Sequence, residues 1–495
     1  MLMFQMYGDS KLIYREYIQN SRDAINDAVT CGILKKITEG RISITIDKSG
    51  KCITIEDNGT GVSYKNVEPV LLDIADSTKD GETSAGQFGI GRLVGGYFCR
   101  KLSFRTSYQG EEVASEIVFD IDKIKQILDD ESDRSTATEV IDKTTDLNLF
   151  EEEKSKHYFV VRLEDVHPDY PELLDETLIS EYLKEVAPVD YSMQFKNQLI
   201  ETSVHDEYIE LQHDVGHFQI SINDTISLRK RYGLTIEGTG DNILGLEYFS
   251  LKDDFFGRLA WGWYAITPFT KSIPVSDRNS CFRLRKHNIQ VGDANLLTSF
   301  FPKNETRGNK YFYGEIHIVN PKIKLNSARD GLAPTPESEK LKSLIRDKFD
   351  ELVKLYHLAN DMKNVVRDYN NIENEENPIS VKQEHQKNVL EKFHQKEKSK
   401  NAQSPAAKQV IEHYKQKVNV QVERLEVDKA TALRNNSLLD TSPTNVDPFE
   451  ILKEKMTLSD IELTKRIFDL FTSNCPQKHM ELIEELKKKV IKDLA

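Results

Sequence analysis

All 24 glycines of this 495-residue chain lie at or before Gly331. Glycine supplies positive φ and close backbone approach, so tight turns and ligand-cradling loops are expected in the first two thirds and helix in the rest. LKSLIRDKFDELVKLYHLA from Leu341 has amphipathic helical spacing. A Lys-, Glu- and Gln-rich tract from Ile379 to Glu426 reads as long exposed helices or a partly flexible connector, interrupted at Ser404 and Pro405. SLLDTSPTNVDP, Ser437 to Pro448, reads as a linker. The last segments, ILKEKMTLSDIELTKRIFDLF and ELIEELKKKVIKDL, read as a helical pair joined around Cys475 and Pro476. Two helices bury little surface alone, so this pair is expected to dock on the body or on a second copy.

Three stretches near the amino terminus carry the chemistry. In YREYIQNSRDAINDAV, Glu16, Asn20 and Asp23 fall at i, i+4 and i+7 and share one helical stripe. A carboxylate one turn before a carboxamide suits hydrolysis of a metal-bound nucleotide: Glu16 to polarise a water, Asn20 to offer its carbonyl oxygen to Mg2+, with Asp23 deeper, near sugar or base. The second stretch follows a hairpin in which Ile42, Ile44 and Ile46 alternate with polar residues, and CITIE follows the turn DKSGK. Asp57, at the strand end, can accept a hydrogen bond from the exocyclic amine of adenine, where guanine has a keto oxygen. Gly59 and Gly61 leave room for a flat base, or simply make a tight turn.

The third stretch, GQFGIGRLVGGYF, has Gly86, Gly89 and Gly91 spaced Gly-x2-Gly-x-Gly, and no strand precedes it; both features exclude a dinucleotide fingerprint. Its backbone N–H groups can still face a phosphate, and Leu93, Val94, Tyr97 and Phe98 behind it read as a helix whose positive end points at the anion. Each stretch alone has a bland explanation: a solvated helix face, a turn, a flexible loop. The three in order within about one hundred residues point to a single ATP site.

Together these motifs resemble the GHKL superfamily, which includes gyrase, the ninety-kilodalton heat-shock chaperones, histidine kinases and MutL. IADSTK, Ile74 to Lys79, and GQFGIG, Gly86 to Gly91, are most similar to the chaperone branch. The resemblance implies an α+β fold: an N-terminal GHKL (Bergerat) α/β sandwich, an α+β middle domain and an all-helical C-terminal region. It implies Glu16 as general base, Asn20 as Mg2+ ligand and Asp57 as adenine contact. Gly86, Gln87, Phe88, Gly89, Ile90 and Gly91 would hinge a lid over the phosphates, with Lys79 a phosphate contact or a solvated loop lysine. GEIHIVNPKIKLNSARD resembles the chaperones' middle-domain segment, with Asn326 and Arg329 at the positions of Asn-x2-Arg. Arg329 would then reach the γ-phosphate from the second domain, in the manner of an arginine finger, or pair with Asp330 at the surface. Two departures stand out. Only Asp80 to Ala85 separate Lys79 from Gly86, a short lid, and HYFVVRLEDV offers Tyr158 where the family often has threonine.

Size and composition, 38% hydrophobic and 30% charged, suit about three domains with ordinary cores. The expected boundaries are 1–200 for the ATP domain, 201–335 for the middle domain, 336–436 for a charged helical connector and 437–495 for a C-terminal helical segment, the candidate for dimerisation. The middle domain draws on strand-like runs including HFQISI, FGRLAWGWYAI, whose Trp261 and Trp263 share a face, and YGEIHIV. No apolar run approaches the ~18 residues of a membrane span and no signal-like start is present, so a cytoplasmic protein is expected. Five scattered cysteines, Cys31, Cys52, Cys99, Cys281 and Cys475, read as free thiols. A net charge of −14 argues against a broad duplex-binding surface; Arg283, Arg285, Lys286 and His287 form a local cluster, read as partly solvated.

The expected function is an Mg2+-dependent ATPase clamp, chaperone-like, acting on a protein client as a homodimer and cycling between ATP and ADP. The alternatives are a DNA-linked ATPase resembling MutL, microrchidia proteins or a prokaryotic defence system, and an ATP-gated scaffold with little turnover. A histidine kinase is disfavoured, because the Asn20 helix begins within fifteen residues of the start.

Overall fold

Isoleucines at alternate positions build the first sheet. In β1 (Arg41–Asp47) Ile42, Ile44 and Ile46 are buried while their neighbours face solvent, and β2 (Cys52–Asp57) repeats the pattern antiparallel to it, pairing Ile44 with Ile55. The computed structural model describes residues 9–72, 91–130, 132–203, 208–209, 218–224, 227–326, 329–373, 379–418, 463–468, 483 and 485–490. The chain divides into two compact units, Met1–Val418 and Asn419–Ala495.

The first sheet of the larger unit adds β3 (Cys99–Ser107), β4 (Val113–Asp120), β5 (Thr145–Glu151), β6 (Tyr158–Val166) and β7 (Gln219–Ile222), in the order β5-β4-β3-β6-β2-β1-β7. Its neighbours are antiparallel except β1 and β7, which run parallel with Ile42 opposite Ile220. The QISI part of the HFQISI run thus belongs to this sheet and not, as its position in sequence suggested, to the middle domain's sheet. A four-residue strand has no local signal for its partner; the buried edge of β1 selects it. Against one face lie α1 (Leu12–Thr30) and α5 (Glu176–Val186), whose Ile13, Tyr14, Tyr17, Ile18, Ile25, Ile179 and Leu183 join the sheet isoleucines in one core.

A second sheet comprises β8 (Gly245–Asp253), β9 (Gly257–Ile266), β10 (Cys281–Lys286), β11 (Ile289–Val291) and β12 (Tyr313–Ile318), ordered β11-β10-β12-β9-β8, with β10 parallel to β12. Trp261 and Trp263 on β9 are fully buried with Tyr191, Phe195, Tyr232 and Tyr313. Arg283 and Arg285 are buried too. They pair with Glu185 at 3.2 Å and Glu315 at 2.6 Å, so the expected partly solvated basic cluster loses both its arginines to the interior. The reason is that both faces of β10 are covered: Phe282 on one face packs against Phe349, and Arg283 and Arg285 on the other meet Glu185 and Glu315.

A long helix, α6 (Pro336–Glu373), sets Phe349 against Phe282 and Phe301; it is followed by α7 (Ile379–Glu397) and helical residues 405–418, the break between these two spanning Lys398 to Ser404 with Pro405 opening the next helix. In the smaller unit the described residues are helical; the Ser437 to Pro448 linker lies outside them. Cys31, Cys52, Cys99 and Cys281 are free thiols, and Cys475 lies outside the described residues. No described helix is long and apolar enough to cross a membrane.

Candidate nucleotide site

Helix α1 turns its apolar stripe to the sheet and so fixes where its polar stripe lies. Glu16 and Asp23 are buried and Asn20 is half-buried, one to two turns apart. Tyr17, on the buried side, donates its hydroxyl to the Arg92 carbonyl at 2.9 Å and accepts from Gly95 N–H at 3.0 Å. That pair of bonds ties α1 to the 3-10 helix Gly91–Phe98, where a helix was expected behind the glycine loop. Gly95 and Gly96 weaken an ordinary α-helix there. Gly95 also has no room for a side chain, since a Cβ would stand 2.4 Å from the Tyr17 hydroxyl. Gly91 opens this element; Lys79, Gly86, Gln87, Phe88, Gly89 and Ile90 lie outside the described residues.

Asp57 ends β2 with its carboxylate buried, Oδ1 accepting from Gly59 N–H at 2.9 Å. The turn then crosses α1. Thr60 N–H donates to the Ala24 carbonyl at 3.2 Å, and a Cβ on Gly59 would meet Ala24 Cβ at 2.6 Å. Gly59 is therefore required by close packing of the turn on α1. Gly61 has φ +66°, and a Cβ there would fall 1.9 Å from the Ser107 carbonyl oxygen. His157 Nδ1 bonds the Gly59 carbonyl at 2.9 Å, while Thr106 Oγ1 accepts from Val62 N–H at 2.8 Å and donates to the Tyr158 carbonyl at 3.0 Å. Tyr158 thus contributes its backbone here; its hydroxyl bonds Glu152 at 2.9 Å.

The loop after β12 brings in Arg329. Asn326 organises that loop: its Oδ1 accepts from Asp330 N–H at 3.2 Å and Gly331 N–H at 3.3 Å, and its Nδ2 donates to Asp330 at 2.6 Å. Asp330 is therefore held by Asn326, and Arg329, at φ +54°, turns the other way. Arg329 Nη1 donates to Glu16 Oε2 at 2.6 Å and to Gln19 Oε1, although 313 residues separate the charged pair. Both partners are buried, so the attraction is little screened. Arg15 Nη2 stands 3.6 Å from Glu16 Oε1, an oxygen that has no hydrogen-bond partner.

The structure thus joins Glu16 to Arg329 and packs the Asp57 turn on α1 at the residue following Asp23. Sequence reasoning missed Gln19, His157 and Thr106. Gln19 was legible as i+3 from Glu16 on the same helix; the other two lie far along the chain, with no local signal. ATP and Mg2+ fit the chemistry of these groups. The orphaned buried Glu16 oxygen suits a water to be activated, and Asn20 offers a neutral oxygen. Among the described residues no three His, Cys, Asp or Glu converge on a metal site.

Residues 11–153 match the family of histidine kinase-, DNA gyrase B- and HSP90-like ATPases. Over this segment the chain is of GHKL type. It resembles the chaperone protein HtpG of Fusobacterium nucleatum, 30% identical over 123 residues, which are 21% of this chain and 20% of the relative. It also resembles HtpG of Geobacter metallireducens, 24% identical over 202 residues, 36% of this chain and 30% of the relative. HtpG of Francisella tularensis subsp. novicida is 29% identical over 130 residues, 23% of this chain and 20% of the relative. The chain spans only 20–30% of the length of these relatives. Its GHKL-type segment contains α1, the Asp57 turn and the glycine loop.

Proposed function

We propose that this chain is an Mg2+-dependent ATPase in which nucleotide drives closure of a clamp, with a chaperone-like role on protein clients. The observation that carries the reading is the buried contact between Glu16 and Arg329, a carboxylate from the GHKL-type segment and a guanidinium from a loop some three hundred residues later. Bound Mg2+ would supply charge neutralisation at the β- and γ-phosphates, with Asn20 Oδ1 its protein ligand. Asp57 accepts the adenine amine and Asp23 lies toward the sugar. Gly86 to Gly91, and Lys79, serve the phosphates. Glu16 takes a proton from the attacking water through Oε1, which accepts no hydrogen bond from the protein. Arg329 stabilises charge as the bond to the γ-phosphorus breaks.

Clamp action follows if Arg329 engages phosphate only when the segments carrying it and α1 stay docked. The chaperone-like role is supported by the resemblance to HtpG; homodimerisation through the C-terminal helices and a cytoplasmic setting belong to the same proposal. Steady-state phosphate release by wild type and Glu16→Ala tests it, with Asp57→Asn followed by calorimetry. We expect turnover to fall by about two orders of magnitude or more in Glu16→Ala with ATP still bound, and ATP binding to be lost in Asp57→Asn. Equal turnover would remove Glu16 from catalysis, and unchanged affinity would remove Asp57 from the adenine site.

A further inference from the structure

We propose that Gln19 is a positioning residue that anchors Arg329 to α1 and thereby sets the preference of the site for a triphosphate over a diphosphate; the inference rests on the ATPase reading. Gln19 is buried, 3% exposed, on the helix that carries Glu16. Its Oε1 and Glu16 Oε2 are spaced i, i+3 and both accept from the same nitrogen, Arg329 Nη1. An Nη1 group has two hydrogens, so two acceptors saturate it. Among the described residues Nε and Nη2 of Arg329 donate to nothing. Those two groups form one edge of the guanidinium with parallel N–H bonds, the arrangement that grips a phosphate through two oxygens.

The choice of an amide matters electrostatically. Glu16 stands between Arg15 and Arg329, one anion to two cations. A second carboxylate at position 19 would cancel the remaining positive charge and weaken its pull on a phosphate, whereas an amide adds an acceptor without charge. Gln19 thus fixes the arginine's orientation while leaving its positive edge effective. Asn326 holds the other end by shaping the loop from which Arg329 projects. The arginine is located at both ends before any nucleotide arrives, and less entropy is lost when phosphate binds.

The test is calorimetric binding of ATP and of ADP to the full chain as wild type, Gln19→Met, Arg329→Ala and the double variant. Methionine keeps length and helix preference and removes the acceptor. We expect Gln19→Met to weaken ATP binding about tenfold, the scale of a hydrogen bond to a charged group. ADP affinity should be unchanged, and Gln19→Met should have no added effect on top of Arg329→Ala. Loss of ATP and ADP affinity alike, or the same loss in the Arg329→Ala background, would make Gln19 a structural helix residue and overturn the inference. So would an ATP preference that depends on Arg329 and not on Gln19, and there the ATPase reading would stand. Wild type binding neither nucleotide would instead overturn the ATPase reading and this inference with it. Unchanged ADP affinity in Gln19→Met also reports that the variant is folded; should it fail to fold, Gln19→Leu replaces it.

Discussion

Glu315 shows how a fully buried carboxylate stays ionised. Burial alone would raise its carboxyl, but Arg285 and Lys230 outweigh that and hold it well below the usual carboxylate range. Arg285 Nε is 2.6 Å away, Lys230 Nζ 2.8 Å, the Tyr191 hydroxyl 2.6 Å and the Tyr232 hydroxyl 3.3 Å. Two cations against one anion leave the cluster short of negative charge. Burial, aided by Arg285, pushes Lys230 down to about 7. His317, stacked on Trp261 and 3.1 Å from Glu315, is pushed down to about 4, chiefly by burial. Its folded pKa lies below the unfolded value of 6.5, so between pH 6.5 and 4 the unfolded chain takes up a proton that the folded chain refuses. Stability from this residue therefore falls as the pH drops through that window, by on the order of 3 kcal/mol in all. Urea unfolding at pH 7 and pH 4.5 should show a smaller acid loss for His317→Gln, which can still donate to Glu315, than for wild type. Identical losses would exclude His317 as the titrating group.

At the scale of elements, α1 and the Asp57 turn are held together by glycines whose missing side chains have different reasons. Gly61→Ala combines positive φ with a Cβ 1.9 Å from a carbonyl oxygen, whereas Gly110→Ala meets φ +98° with nothing within 4 Å. We expect about 1–2 kcal/mol from backbone strain at Gly110 and a further 1–3 kcal/mol at Gly61 from overpacking. Equal shifts in denaturation midpoint would sink the steric argument. The sequence could show that a turn rich in glycine stood there, because turn chemistry is local. That Gly59 is spared a side chain by Ala24 depends on where α1 lies across the sheet.

For the whole molecule, the division at Val418 places the candidate nucleotide site and Arg329 in one unit and the C-terminal helical residues in the other. A chain ending at Val418 should fold and retain ATP affinity within about threefold of the full chain, less than the 1.4 kcal/mol that makes a factor of ten. If the C-terminal helices join two copies, light scattering should find a dimer for the full chain and a monomer for the shortened one. A dimer in both would assign the interface elsewhere.

Several things were written in the residues themselves. The stripe Glu16, Asn20, Asp23 follows from helical period, the hairpin β1–β2 from alternation, and the helices described between Pro336 and Val418 from absent glycine and apolar spacing, all properties of neighbouring residues. Tertiary structure decided the rest. It placed β7 beside β1, turned Arg283 and Arg285 inward against Glu185 and Glu315, and set Gln19 as the second acceptor of Arg329. Such contacts join residues tens to hundreds of positions apart, and only the packing of sheets and helices determines which distant groups meet.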